Sequence, residues 1–179
     1  MISGMYMGEI VRLMLSKYTD EGLLFKGKST EKLKTHNSID TSFVSLVESD
    51  AKGHYNKTRE ALSHMDIMDA SDEDCENVRL ICSRVSTRAA HLVAAAVATI
   101  LNKIKRPQTT VGVDGSVYRF HPHFHNLMEQ KIAELTNPDY KFDLMLSEDG
   151  SGRGAALVAA VAVRTEKSRT FSITSMSSL

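Results

Sequence analysis

The chain has 179 residues, with 22 Lys and Arg against 22 Asp and Glu, 42% hydrophobic and 25% charged residues. This is the make-up of one soluble globular domain, and its zero formal net charge excludes the basic footprint that nucleic acid or an anionic membrane surface would require. Two cysteines are too few for a disulfide framework, and neither a long apolar run nor a signal-peptide pattern is visible, so a cytoplasmic, reducing setting is expected.

A helix opens almost at once. Met7, Ile10, Val11, Met14, Leu15 and Tyr18 repeat at the helical period, and Gly22 fits its stop. A periodic pattern that starts this early suggests a piece of a longer protein. A polar stretch follows over residues 26–34. Asp40 is placed as the N-cap of a short helix carrying Phe43, Val44, Leu46 and Val47 on one side. A modest helix is expected over residues 58–65. Ser71 with Asp74 three positions on resembles a capping box, and it opens the strongest signal in the chain. From Val78 through Ile104 the apolar residues keep helical spacing, and Pro107 is read as the terminator.

The period then changes from helical to alternating. Residues 109–113 read as a strand, Asp114-Gly115 as a hairpin turn and residues 116–120 as the returning strand. Phe124, Leu127, Met128, Ile132 and Leu135 mark a helix, with Pro122 placed at its first position. Residues 140–146 read as a strand. A glycine-rich loop over residues 147–154 leads into a helix beginning at Ala155, and the Ser/Thr-rich residues 165–179 are expected to be disordered. The chain is therefore α/β and helix-rich, with its strands in the second half. Residues 1–164 form the folded part and residues 165–179 a tail.

The chemistry visible in the residues alone is thin. A glycine loop before a helix can present backbone N–H groups to a phosphate, although the same glycines serve any tight turn, and no P-loop or dinucleotide fingerprint is present. His121 and His123 alternate as metal ligands could, yet no acidic or cysteine partner lies near them in sequence. Cys82 lies on the apolar helix face and reads as a small core residue. No nucleophile and base can be paired by spacing.

Several blocks resemble the hexokinase/glucokinase family of ATP-dependent hexose kinases. They are residues 3–12 (SGMYMGEIVR), 43–50 (FVSLVESD), 85–91 (VSTRAAH), 110–118 (TVGVDGSVY) and 146–157 (LSEDGSGRGAAL), in the family's order. The resemblance implies the C-terminal part of an actin-like ATPase, or ribonuclease-H-type, large domain. It carries nucleotide contacts to Gly4 and Met5 beside the ATP phosphates and to Thr41, Ser42, Phe43, Val44 and Ser45 near the adenosine end. It also carries them to Asp114, Gly115, Ser116, Val117, Tyr118, Arg119 and Phe120 of the adenosine motif. ATP is the implied cofactor, with Mg2+ held through it, and phosphoryl transfer to the 6-hydroxyl of a hexose such as glucose is the implied reaction. The family's phosphate loops, catalytic aspartate and sugar carboxylates have no counterpart here. The chain alone is thus expected to hold the adenosine side, to be inactive, and to associate through an exposed sheet edge. A short non-catalytic nucleotide-binding or regulatory module is the alternative. Asp40 and Ser42 depart from the family's Glu and basic residue around Thr41.

Overall fold

Helix α1 (Gly4–Asp20) buries Met7, Val11 and Leu15 completely, one stripe at a spacing of four. Its far end closes on Gly22 (φ 74°), with Leu23 N–H bonded to the Tyr18 carbonyl at 2.9 Å. The computed structural model describes residue 2, residues 4–147 and residues 150–176, apart from the side chains of Met5 and of residues 165–176.

The polar stretch after α1 contains a 3-10 turn at Phe25–Gly27 and a single helical turn, α2 (Glu31–Lys34), capped by the Thr30 hydroxyl on the Leu33 N–H. Helix α3 (Thr41–Glu48) starts as expected: an Asp40 carboxylate oxygen accepts the Phe43 N–H at 3.1 Å. Helix α4 (Asn56–Ser63) follows. Helix α5 (Asp72–Ile104) has 33 residues, roughly 50 Å at 1.5 Å per residue. Both halves of its Ser71/Asp74 capping box are formed. It stops on left-handed Lys105, two residues before Pro107. By length and composition α5 contains a window apolar enough to cross a membrane. Cys75, Val78, Cys82, Val85, Ala89, Ala90 and Leu101 on one face instead belong to the core formed with α1, α3, α4 and α7.

After α5 come β1 (Gln108–Val113), α6 (Ser116–Phe120), α7 (Phe124–Leu135), β2 (Lys141–Leu146) and α8 (Gly150–Met176). β1 and β2 pair in parallel, from Gln108 opposite Lys141 to Val113 opposite Leu146. The expected hairpin is therefore corrected. Asp114-Gly115 leads out of β1 into a crossover, and residues 116–120 are helical, with the His121 N–H on the Val117 carbonyl at 3.0 Å. Burial gives the reason. Val117, Tyr118 and His121 are covered while Arg119 and Phe120 face water, an i, i+1, i+4 face that a strand cannot present.

Three further expectations change. Gly150–Gly154 form the first turns of α8 and not a loop. A Cβ at Gly150 would stand against the Ser147 hydroxyl oxygen, which would have to turn aside. Past Arg164 the backbone stays helical to Met176, where a disordered tail is expected from composition. Pro122 precedes α7 by two residues and is not its first position, because His123 is the N-cap.

Candidate functional site

Segments distant in sequence converge on a cavity of about 750 Å³, formed by the start of α1, the start of α3 and the β1–α6 junction, with α5 and α7 behind. Gly4 is the wedge. Its carbonyl accepts the Thr41 hydroxyl proton, and a Cβ there would stand 2.6 Å from Val117 Cγ2, so a side chain would push α6 away from α3. Gly8 does the same one turn on, where a Cβ would collide with the backbone of Ile39 and Asp40. At the end of β1, Gly115 takes φ 143° and ψ 147°, a conformation that L side chains rarely adopt. It turns the chain so that Ser116, Val117 and Tyr118 line the opposite wall.

Val93, Val113, Phe124 and Met128 make the inner surface apolar, and Asp40, Thr41, Ser42, Asp114 and Ser116 supply a polar rim. No Lys or Arg is among the described residues that line it. Burial raises the Asp40 pKa, but bonds from the Ser42 hydroxyl and from the Phe43 and Ser42 N–H groups outweigh it and hold the carboxyl below its ordinary range. Burial, with a smaller effect from the Glu129 charge, pushes the Tyr118 phenol up. Its hydroxyl pairs with His125 Nδ1 at 2.5 Å. Such a pocket suits a flat heterocycle with hydroxyl groups at its edge. Its described residues offer nothing cationic to a polyphosphate.

Of the residues expected to contact nucleotide, Gly4, Thr41, Ser42, Asp114, Gly115, Ser116, Val117 and Tyr118 line this cavity. Phe43 and Val44 have their side chains buried in the core on the inner face of α3. The Ser45 hydroxyl turns back to the Thr41 carbonyl at 3.2 Å, away from the cavity. Arg119 and Phe120 are exposed and stack on each other at 5.2 Å, outside the lining. The Met5 side chain lies outside the described residues. Sequence reasoning misses Val93, Phe124 and Met128 as a pocket surface; their periodicity marks them as apolar without saying that one turn of each helix faces a cavity. Among the described residues no group of three or more His, Cys, Asp or Glu is placed to hold a metal.

The hexokinase family model matches residues 1–161. The chain belongs to the hexokinase family. It is 46% identical over 170 residues to Hexokinase-1 of Rattus norvegicus, covering 92% of this chain and 18% of that one. It is 40% identical over 167 residues to Hexokinase of Brugia malayi, covering 93% and 29%. Hexokinase from Schistosoma mansoni, solved in complex with glucose, superposes with a TM-score of 0.85 at 41% identity, over 89% of this chain and 36% of that one. This hexokinase-family chain thus has the fold of part of an actin-like ATPase large domain, and it spans between about a fifth and a third of these relatives' length.

Proposed function

We propose that this chain is the adenosine-binding side of a hexose kinase that moves the terminal phosphoryl group of MgATP to the 6-hydroxyl of a hexose such as glucose. One observation carries the reading: Gly4, Thr41 and residues 114–118 converge on an apolar-walled cavity whose described lining includes no cation. Val117, Met128 and Phe124 would sandwich the base, and Thr41, Ser42 and Ser116 would meet ribose hydroxyls at the rim. ATP would supply the phosphoryl group and carry its own Mg2+. Since the family's catalytic aspartate and sugar carboxylates have no counterpart in this sequence, proton transfer and substrate placement would fall to residues outside this chain. Two buried free cysteines are in keeping with a reducing, cytoplasmic setting.

Titration calorimetry of the chain with adenosine and with MgATP tests the reading. With no cation facing the phosphates, the two should bind within about threefold of each other. Gly4→Val, which drives a branched side chain into Val117, should abolish both. A coupled assay should find no glucose-dependent ADP release above a mock purification. Absence of adenosine binding would overturn the assignment, and sugar phosphorylation by the chain alone would overturn the division of labour.

A further inference from the structure

The His121/His123 pair faces away from the cavity and grips one residue, Glu48, the last of α3. The Glu48 side chain is 4% exposed and that of His121 is fully buried. Glu48 Oε1 accepts the Ser86 hydroxyl of α5 at 2.7 Å and lies 3.3 Å from His121 Nε2. His123 Nε2 lies 3.1 Å from the Glu48 backbone carbonyl. Because that carbonyl can only accept, His123 carries its proton on Nε2 and satisfies a carbonyl left open at the end of α3.

The tautomer of His121 follows in the same way. Its Nδ1 accepts the His123 N–H at 3.3 Å, so the neutral ring holds its proton on Nε2, the nitrogen 3.3 Å from the Glu48 carboxylate. That nitrogen makes no well-aligned hydrogen bond among the described residues, and the Glu48 carboxylate at 3.3 Å is the charged group set beside this buried donor. The sequence presents the two histidines as a candidate ligand pair with no acid beside them, and folding brings the acid from 73 positions away.

From this geometry we infer that Glu48, Ser86 and His121 form a brace that sets the distance between the two walls of the cavity, making all three positioning residues. α3 and α6 meet at two points. Near the cavity both touch Gly4, through Thr41 and Val117. Roughly 10 Å along α3, Glu48 holds His121, the C-cap of α6, and Ser86 ties the pair to the long helix. A five-residue helix has too few internal hydrogen bonds to hold itself in place, so its direction depends on these two contacts together with the packing of Tyr118 against His125 of α7. The link from brace to ligand rests on the adenosine reading, whereas the link from brace to α6 does not.

The test uses the full chain. Nitrogen-15 NMR of the parent should show His121 as the Nε2–H tautomer, and an Nδ1–H tautomer would overturn the brace before any variant is made. In His121→Leu the amides of Arg119 and of position 121 should exchange about tenfold faster, while amides of α1 and mid-α5 keep their rates. His121→Gln, which restores a donor near the Nε2 position, should recover most of the protection. Adenosine affinity should fall about tenfold in His121→Leu and return in His121→Gln. Unchanged α6 exchange, or faster exchange spread evenly over the core, would overturn the brace. A parent chain that binds no adenosine would overturn the nucleotide reading alone, and exchange would still decide the brace.

Discussion

Glu9 and Arg12 sit one turn apart on α1, on the side that meets the chain around α2. The guanidinium reaches both carboxylate oxygens at 2.7 Å and uses its remaining arm on the Leu33 carbonyl, also at 2.7 Å. Asn37 N–H adds a bond to Glu9 at 2.8 Å. The Arg12 hydrogen bond is the main cause that brings the Glu9 pKa from the usual 4.5 to about 2, against the opposing effect of burial. A carboxylate whose folded pKa is depressed contributes stability above its unfolded value and loses it as pH falls. The contribution here is complete above about pH 4.5 and gone near pH 2. Arg12→Leu leaves that carboxylate buried without its partner and should cost roughly 3 kcal/mol at neutral pH. Urea unfolding at pH 7, 4 and 2.5 should show the gap between parent and variant shrinking toward low pH. A gap that stays constant would mean the side chain contributes by packing and not by charge. The pair is nearly invisible in the sequence, because Glu9 and Arg12 sit within an otherwise apolar pattern and their partners, Leu33 and Asn37, belong to a stretch that shows only polarity.

Among the elements, α5 was legible at both levels, and its cap explains more than its own start. Ser71 and Asp74 exchange side-chain to backbone bonds at 3.0 and 3.1 Å, as their spacing implies. Asp74 also accepts the Phe25 N–H at 2.9 Å, which fastens the turn after α1 to the base of α5. Ser71→Ala should therefore cost about 1 kcal/mol, the ordinary value of a lost cap. Asp74→Ala strands the N–H groups of both Ser71 and Phe25 and should cost about twice as much. Thermal unfolding that ranks the two variants in the opposite order would remove Asp74 from the role of tie. α6 was not legible. Asp-Gly between apolar residues signals a hairpin, and only the arrival of β2 along β1, from 33 residues away, makes the connection a crossover. α8 misleads for a related reason. Glycine is about 1 kcal/mol poorer than alanine in a helix, so three of them suggest a loop. A Cβ at Gly150 would meet the Ser147 hydroxyl, so the first turn is crowded at one of them.

At the level of the whole molecule, the family blocks point to the parts of the site that the fold brings together. They could not show that its apolar wall comes from Val93 of α5 and from Phe124 and Met128 of α7, positions outside those blocks. The fold also has unequal halves. Helices α1 to α5 close around buried side chains, whereas the parallel pair β1–β2 stands as a sheet of two strands, with Met145 56% and Leu146 38% exposed. Parallel sheets are ordinarily covered on both faces and paired beyond two strands. α8 adds Leu157 and Val158, 67% and 70% exposed, on a helix with little polar surface along residues 155–163. Apolar area of this kind drives association unless something covers it. The isolated chain should therefore form concentration-dependent oligomers in analytical ultracentrifugation and enhance the fluorescence of a hydrophobic dye. Leu157→Glu with Val158→Lys should reduce both signals while leaving the unfolding of the α1–α5 core within about 0.5 kcal/mol of the parent, as expected for surface positions. A parent chain that sediments as a single monomer across a hundredfold range of concentration would contradict the prediction, and association unaffected by the α8 changes would move its origin to the strand edges.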